Sequence, residues 1–192
     1  MLKAVLFDLD NTLLDRERVF RACLQADGAL TEAAVQELLQ LDEAGHGDRE
    51  TLFAAWQRHR GAPMSQAVLN DLMMGHIQPD LELLAALADL GSSNKLGMVT
   101  NGGSDTQRRK LKASGLDTVI PPEHTLVSSE VGVWKPDPRI FWMASQALGV
   151  EPGECLFVGD QERFDGVGAR AAGMELVLVE AVLTADGLRA LL

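Results

Sequence analysis

Short apolar runs recur along the chain, each halted by a polar or glycine-bearing turn and followed by a segment with helical spacing. Ala4-Val5-Leu6-Phe7 stops at Asp8, Leu96 to Val99 stops at Thr100-Asn101-Gly102-Gly103, and Cys155 to Val158 stops at Gly159-Asp160. Runs this short, apolar throughout, read as strands buried on both faces. Between them Leu81–Leu90, Asp105–Ser114, Pro138–Leu148 and Gly166–Ala172 carry helical periodicity, with Gly115 and Gly149 placed to end two of these helices. Thr125–Val127 and Glu175–Val179 predict further strands, and Thr184 opens a short last helix. Strands alternating with helices predict an α/β fold, a Rossmann-like parallel sheet with helices on both faces.

One block breaks the alternation. From about Arg16 to Gly75 the apolar residues keep helical spacing, as at Val35, Leu38, Leu39 and Leu41, with glycines and Pro63 as punctuation. We read about four helices there, with Thr31, Asp48 and Ser65 as N-caps. The block therefore reads as a small all-helical domain, residues 15–78, inserted after the first strand of an α/β core made of residues 1–14 and 79–192. No internal repeat or low-complexity segment interrupts this plan.

Charge narrows the partners. The formal net charge is −11 over 192 residues, and no basic stripe is present, which argues against a nucleic-acid polymer. A small anionic metabolite remains possible, since it needs only local positive charge or a metal. Cys23 and Cys155 are far apart and have no metal-type spacing, so a reducing, cytoplasmic setting is expected. The apolar run before Asp8 is too short for a signal-peptide core, and no run reaches the roughly 20 residues of a membrane span. Monomer and homodimer are both compatible with the apolar helix faces.

In an open parallel sheet, ligands bind beyond the carboxyl ends of the strands. The predicted strand ends bring Asp8, Asp10 and Thr12, then Thr100 and Asn101, then Asp160 with Asp165 five residues on, while Lys135 comes from a loop between strands. Two carboxylates 4 Å apart repel by about 4 kcal/mol at an effective dielectric of 20. A hard cation among them relieves this, and an all-oxygen ligand set with few protein donors suits Mg²⁺. With Lys135 it would also neutralise a phosphoryl group that a carboxylate attacks.

Asp8-Leu9-Asp10-Asn11-Thr12 resembles the D-x-D-x-T signature of the haloacid dehalogenase superfamily. Val99-Thr100-Asn101-Gly102 resembles its second motif, Lys135-Pro136 its third, and Gly159-Asp160 with Asp165 its fourth. Any one would be weak, but four in order along most of the chain are specific. The resemblance implies a Mg²⁺-dependent phosphatase. Asp8 would be the nucleophile and a metal ligand. Asp10 would be the acid and then the base, its backbone carbonyl a second ligand. Thr100, the Asn101 amide and Lys135 would bind phosphate. Asp160 would complete the metal site, and Asp165 would support it. The helical insert resembles the family's cap.

Asp10 argues against the dehalogenases, whose halide leaves without a proton and which lack this acid. Residues between Lys3 and Lys95 include no lysine, which removes the cap lysine that a phosphonate hydrolase of this kind uses. A sugar phosphomutase with the same phosphoryl machinery stays open, as does a catalytically silent binding protein on this fold. Asp165 could instead cap the helix near Gly166. Arg108 and Arg109 read as a solvated helix face, and Trp134 either lines the site or packs. Gly166 and Gly168 lack the spacing of a dinucleotide loop.

Overall fold

The computed structural model describes residues 1–190. Five strands form one sheet: β1 (Ala4–Phe7), β2 (Lys95–Thr100), β3 (Thr125–Val127), β4 (Cys155–Gly159) and β5 (Glu175–Leu178). Their order is β3-β2-β1-β4-β5 and every pairing is parallel. β1 lies at the centre, with Leu6 level with Gly97 on one side and Phe157 on the other. After β3 the chain crosses back over β1 to start β4. The switch point therefore falls between β1 and β4, where the two strand ends leave a crevice for a ligand.

The chain divides into two compact units, Met1–Leu14 with Gln78–Leu192, and Asp15–Ile77. The second is all helical: α1 (Arg16–Ala26), α2 (Glu32–Asp42), α3 (Arg49–Arg60) and α4 (Gln66–Met74). Thr31, Asp48 and Ser65 cap α2, α3 and α4, each accepting a backbone N–H three residues on. Leu38, Leu52, Ala55 and Leu69 are buried in this unit. Asp42 is also buried, and both of its carboxylate oxygens are held by Arg16, at 2.5 and 3.0 Å, with Arg49 a further 2.8 Å partner.

In the sheet unit the remaining helices are α5 (Leu81–Gly91), α6 (Ser104–Ser114), α7 (Ser128–Val131), α8 (Pro138–Leu148), α9 (Val167–Ala172) and α10 (Ala185–Ala190). Side chains alternate across a strand, and both faces here are covered. Ala4, Leu6, Val99, Cys155 and Phe157 form one core with Ile140, Phe141, Ala144 and Leu148 of α8 and Ala169 and Ala172 of α9. Val5, Phe7, Leu96, Met98, Leu156 and Val158, on the other face, are buried as well; α5 packs on β2, and α10 on α5. Among the described residues no helix is long and apolar enough to cross a membrane. Two details differ from the sequence expectation. The helix expected over Gly166–Ala172 starts at Val167 and is preceded by a π-helical turn, Glu162–Gly166, and α7 follows β3 directly.

Candidate active site

β1 delivers Asp8 at its carboxyl end, where the Asp8 N–H donates to Val158 O of β4 at 2.9 Å. The chain then turns sharply. The N–H groups of Thr12, Leu13 and Leu14 all donate to Leu9 O, and Asn11 sits at a φ of 60°. Asparagine tolerates this left-handed conformation better than most side chains. The turn holds Asp8 and Asp10 close to the end of the same strand.

Lys135 is the centre of the site. Its ammonium donates to Asp8 Oδ1 at 2.5 Å and to Asp165 Oδ1 at 2.7 Å, with all three side chains buried. Asn101, at the end of β2, fixes the lysine through its main chain: Asn101 Nδ2 donates to Lys135 O at 3.0 Å, and Lys135 N donates to Asn101 Oδ1 at 2.9 Å. Asp165 is anchored again by the Gln161 N–H on Oδ2, at 3.0 Å. Both of its oxygens are thus engaged around Lys135, and it does not cap the following helix. Gly159 makes room for it, since a Cβ on Gly159 would lie 2.5 Å from the Asp165 carboxyl.

Asp160 follows β4 and accepts from Gln161 Nε2 at 2.8 Å. One oxygen from each of Asp8, Asp160 and Asp165 lies within 4.8 Å of the others. Burial pushes Asp8 up to about 7; the Lys135 charge opposes this, while Asp165 and Asp10 add to it. Burial likewise raises Asp160. Lys135 loses solvation on burial, yet Asp8 and Asp165 hold it above the usual lysine range. Three acids around one ammonium leave a buried surplus of negative charge. An all-oxygen donor set of this kind fits a hard divalent cation.

Thr100 is buried beside this group, and its Oγ1 accepts from Gln107 Nε2 at 2.6 Å. Asp10 is joined to α6: Lys110 Nζ lies 2.7 Å from both carboxylate oxygens, and Gln107 Nε2 lies 3.1 Å from Oδ2. The motif reading missed Gln107 and Lys110. Their signal was present, since residues three apart share a helix face, but nothing in the sequence said which face meets Asp10. The neighbouring Arg108 is no merely solvated side chain. It bridges Glu130 and the carbonyls of Pro122 and Thr125. Trp134 is half exposed.

A parallel sheet with a carboxylate–lysine cluster at its switch point defines the class first: an open α/β protein with an acidic site, suited to a hard cation, at its strand ends. The chain matches the haloacid dehalogenase-like hydrolases over residues 2–173, and it belongs to that family. It is 33% identical to a phosphoserine phosphatase of Thermus thermophilus, over 93% of this chain and 89% of that one. It is 31% identical to a glyceraldehyde 3-phosphate phosphatase of Methanopyrus kandleri, over 93% and 84% respectively. A HAD family hydrolase from Deinococcus radiodurans, solved with bound phosphate and sodium, superposes with a TM-score of 0.64 at 26% identity, over 99% of this chain and 86% of that one. The protein is an enzyme, a phosphatase of this family.

Proposed function

We propose that the chain hydrolyses a small phosphate monoester through an aspartyl phosphate on Asp8, with Mg²⁺ as the metal. The observation that carries this reading is the Lys135 ammonium shared by Asp8 and Asp165, with Asp160 alongside. Asp8, Asp160 and the Asp10 carbonyl are the residues that would hold the cation, with Asp165 supporting them. Bound there, it supplies positive charge that offsets the negative phosphoryl oxygens.

The chain's own groups do the rest. An Asp8 carboxylate oxygen attacks phosphorus, and the bond between phosphorus and the ester oxygen breaks. That oxygen keeps the bonding electron pair and takes a proton from the Asp10 carboxyl, leaving as an alcohol. Asp10, now a carboxylate, takes a proton from water as the water oxygen attacks phosphorus. The acyl-phosphate bond breaks, restoring the Asp8 carboxylate and releasing inorganic phosphate. Lys135, the Thr100 hydroxyl and the Asn101 backbone N–H hold phosphoryl oxygens in line.

We read the helical unit Asp15–Ile77 as the counterpart of the family's cap. The substrate is a small phosphorylated metabolite met in the cytoplasm, and the relatives make phosphoserine and glyceraldehyde 3-phosphate the first esters to try. The test is phosphate release from a panel of these, nucleotides, sugar phosphates and an aryl phosphate, with and without Mg²⁺. We expect Mg²⁺-dependent release that Asp8→Asn lowers by at least about 10³-fold. Equal release from the variant would remove Asp8 as nucleophile. Isomerised sugar phosphate in place of free phosphate would make the enzyme a mutase.

A further inference from the structure

Gln107 and Lys110 lie one helical turn apart on α6 and are 2% and 5% exposed. Burying an amide and an ammonium is costly unless both are bonded, and both are directed at the same carboxylate. Lys110 straddles the two oxygens of Asp10 at 2.7 Å each, while Gln107 approaches Oδ2 at 3.1 Å. A carboxylate paired with a lysine only accepts hydrogen bonds, so the amide end of Gln107 facing it must be its NH₂. That same nitrogen donates to Thr100 Oγ1 at 2.6 Å. With its oxygen accepting from Gln107, the Thr100 hydroxyl is left to turn its own hydrogen toward another acceptor.

The local backbone supports this placement. Gly102 lies against Gln107, where a Cβ would come within 3.0 Å of Gln107 Cγ and Cδ. The Gly102 N–H is held by Ser128 Oγ at 3.0 Å. The Gln107 side chain is therefore walled in as well as hydrogen-bonded.

We propose that Gln107 and Lys110 are positioning residues that together seat the Asp10 carboxyl group, with Gln107 linking that seat to the Thr100 hydroxyl. The proposal rests on the reading of Asp10 as the group that protonates the leaving oxygen. Both act through Asp10. They hold its carboxylate, the form this structure shows and the form left once the ester oxygen has taken the proton, at the place from which that proton is delivered.

A seat for an acid has a signature that a packing role lacks. An alkoxide leaving group needs the proton, whereas a nitrophenolate leaves nearly as well without it. kcat/KM reports the steps up to Asp8 phosphorylation and so excludes the later hydrolysis. The experiment measures kcat/KM for phenyl, nitrophenyl and alkyl phosphates with wild type, Asp10→Asn, Gln107→Met, Lys110→Met and Lys110→Arg, all with Mg²⁺. We expect Lys110→Met to lose about 30-fold on the alkyl ester and less than about threefold on nitrophenyl phosphate, a fraction of what a general acid contributes, and Gln107→Met, which also frees Thr100, to lose about tenfold more on the alkyl than on the nitrophenyl ester. Lys110→Arg, which keeps the cation, should recover part of the loss. The nitrophenyl ester doubles as the control for folding.

Equal losses on all three esters, or no loss on any, would overturn the seat while Asp10→Asn still shows the steep dependence on leaving group. A flat dependence in Asp10→Asn would instead remove Asp10 as the acid, and the seat would fall with it.

Discussion

Thr12 shows what a single residue can cost in this fold. It is fully buried, and its hydroxyl is a buried side-chain oxygen with no hydrogen-bond partner. An unsatisfied buried polar group is destabilising, so Thr12→Val, which keeps the shape, should raise stability by about 1 kcal/mol in chemical denaturation. A loss of stability would mean that the hydroxyl is satisfied by an ordered water. At this scale the sequence was partly legible. Asp8, Asp10, Thr100 and Asp160 could be found because each follows an apolar strand, and Lys135 because it belongs to an ordered set of motifs. Gln107 and Lys110 could not, because helical spacing gives a face without giving its neighbour. The environment of Asp165 was hidden for a similar reason. Its place depends on the missing side chain of Gly159, a contact across a turn that no periodicity announces.

The helices of Asp15–Ile77 depend on more than apolar faces. Arg16 from α1 and Arg49 from α3 converge on Asp42 at the end of α2, tying three elements to one buried carboxylate. Burial alone would raise Asp42, but hydrogen bonds and charge from Arg16 and Arg49 outweigh it and hold the carboxyl below its usual range. A carboxylate depressed by folding contributes stability that is present above its unfolded pKa and is lost as pH falls through the folded one. The helical unit should therefore weaken in acid, below about pH 4. Asp42→Ala leaves the Arg16 charge buried without its partner and should cost about 3 kcal/mol. Helix-specific hydrogen exchange would read both effects, and an unchanged acid profile in the variant would rule out this ion pair as the cause. The caps of α2, α3 and α4 were readable from Thr31, Asp48 and Ser65, since capping is a local event. The Arg16–Asp42–Arg49 link was not, because it joins residues distant along the chain.

For the whole molecule the active-site charges pull the other way. Asp8 is held up to about 7 by burial, well above the usual aspartate range. A group raised by folding contributes stability that is full below its unfolded pKa and is lost as pH rises through the folded one. The metal-free enzyme should therefore lose stability as pH rises from about 4 to about 7. Asp8→Asn should flatten that part of the curve, and Mg²⁺ should restore stability to the wild type by binding the folded state alone. Thermal melts in chelator and in Mg²⁺ check this, and a wild-type melt indifferent to Mg²⁺ at pH 8 would count against the metal site. The alternation of strands and helices made the fold class legible, but the order of strands was not, because one apolar run does not name its neighbours. That order also bears on synthesis. Ala4 pairs with Lys95 and with Cys155, so β1 leaves the ribosome ahead of both partners and must wait for strands made much later. The helical unit emerges in the interval and can pack before the sheet exists. Asp8 is thus among the earliest residues of the active site to be made, and its surroundings are complete only when Asp165 has followed.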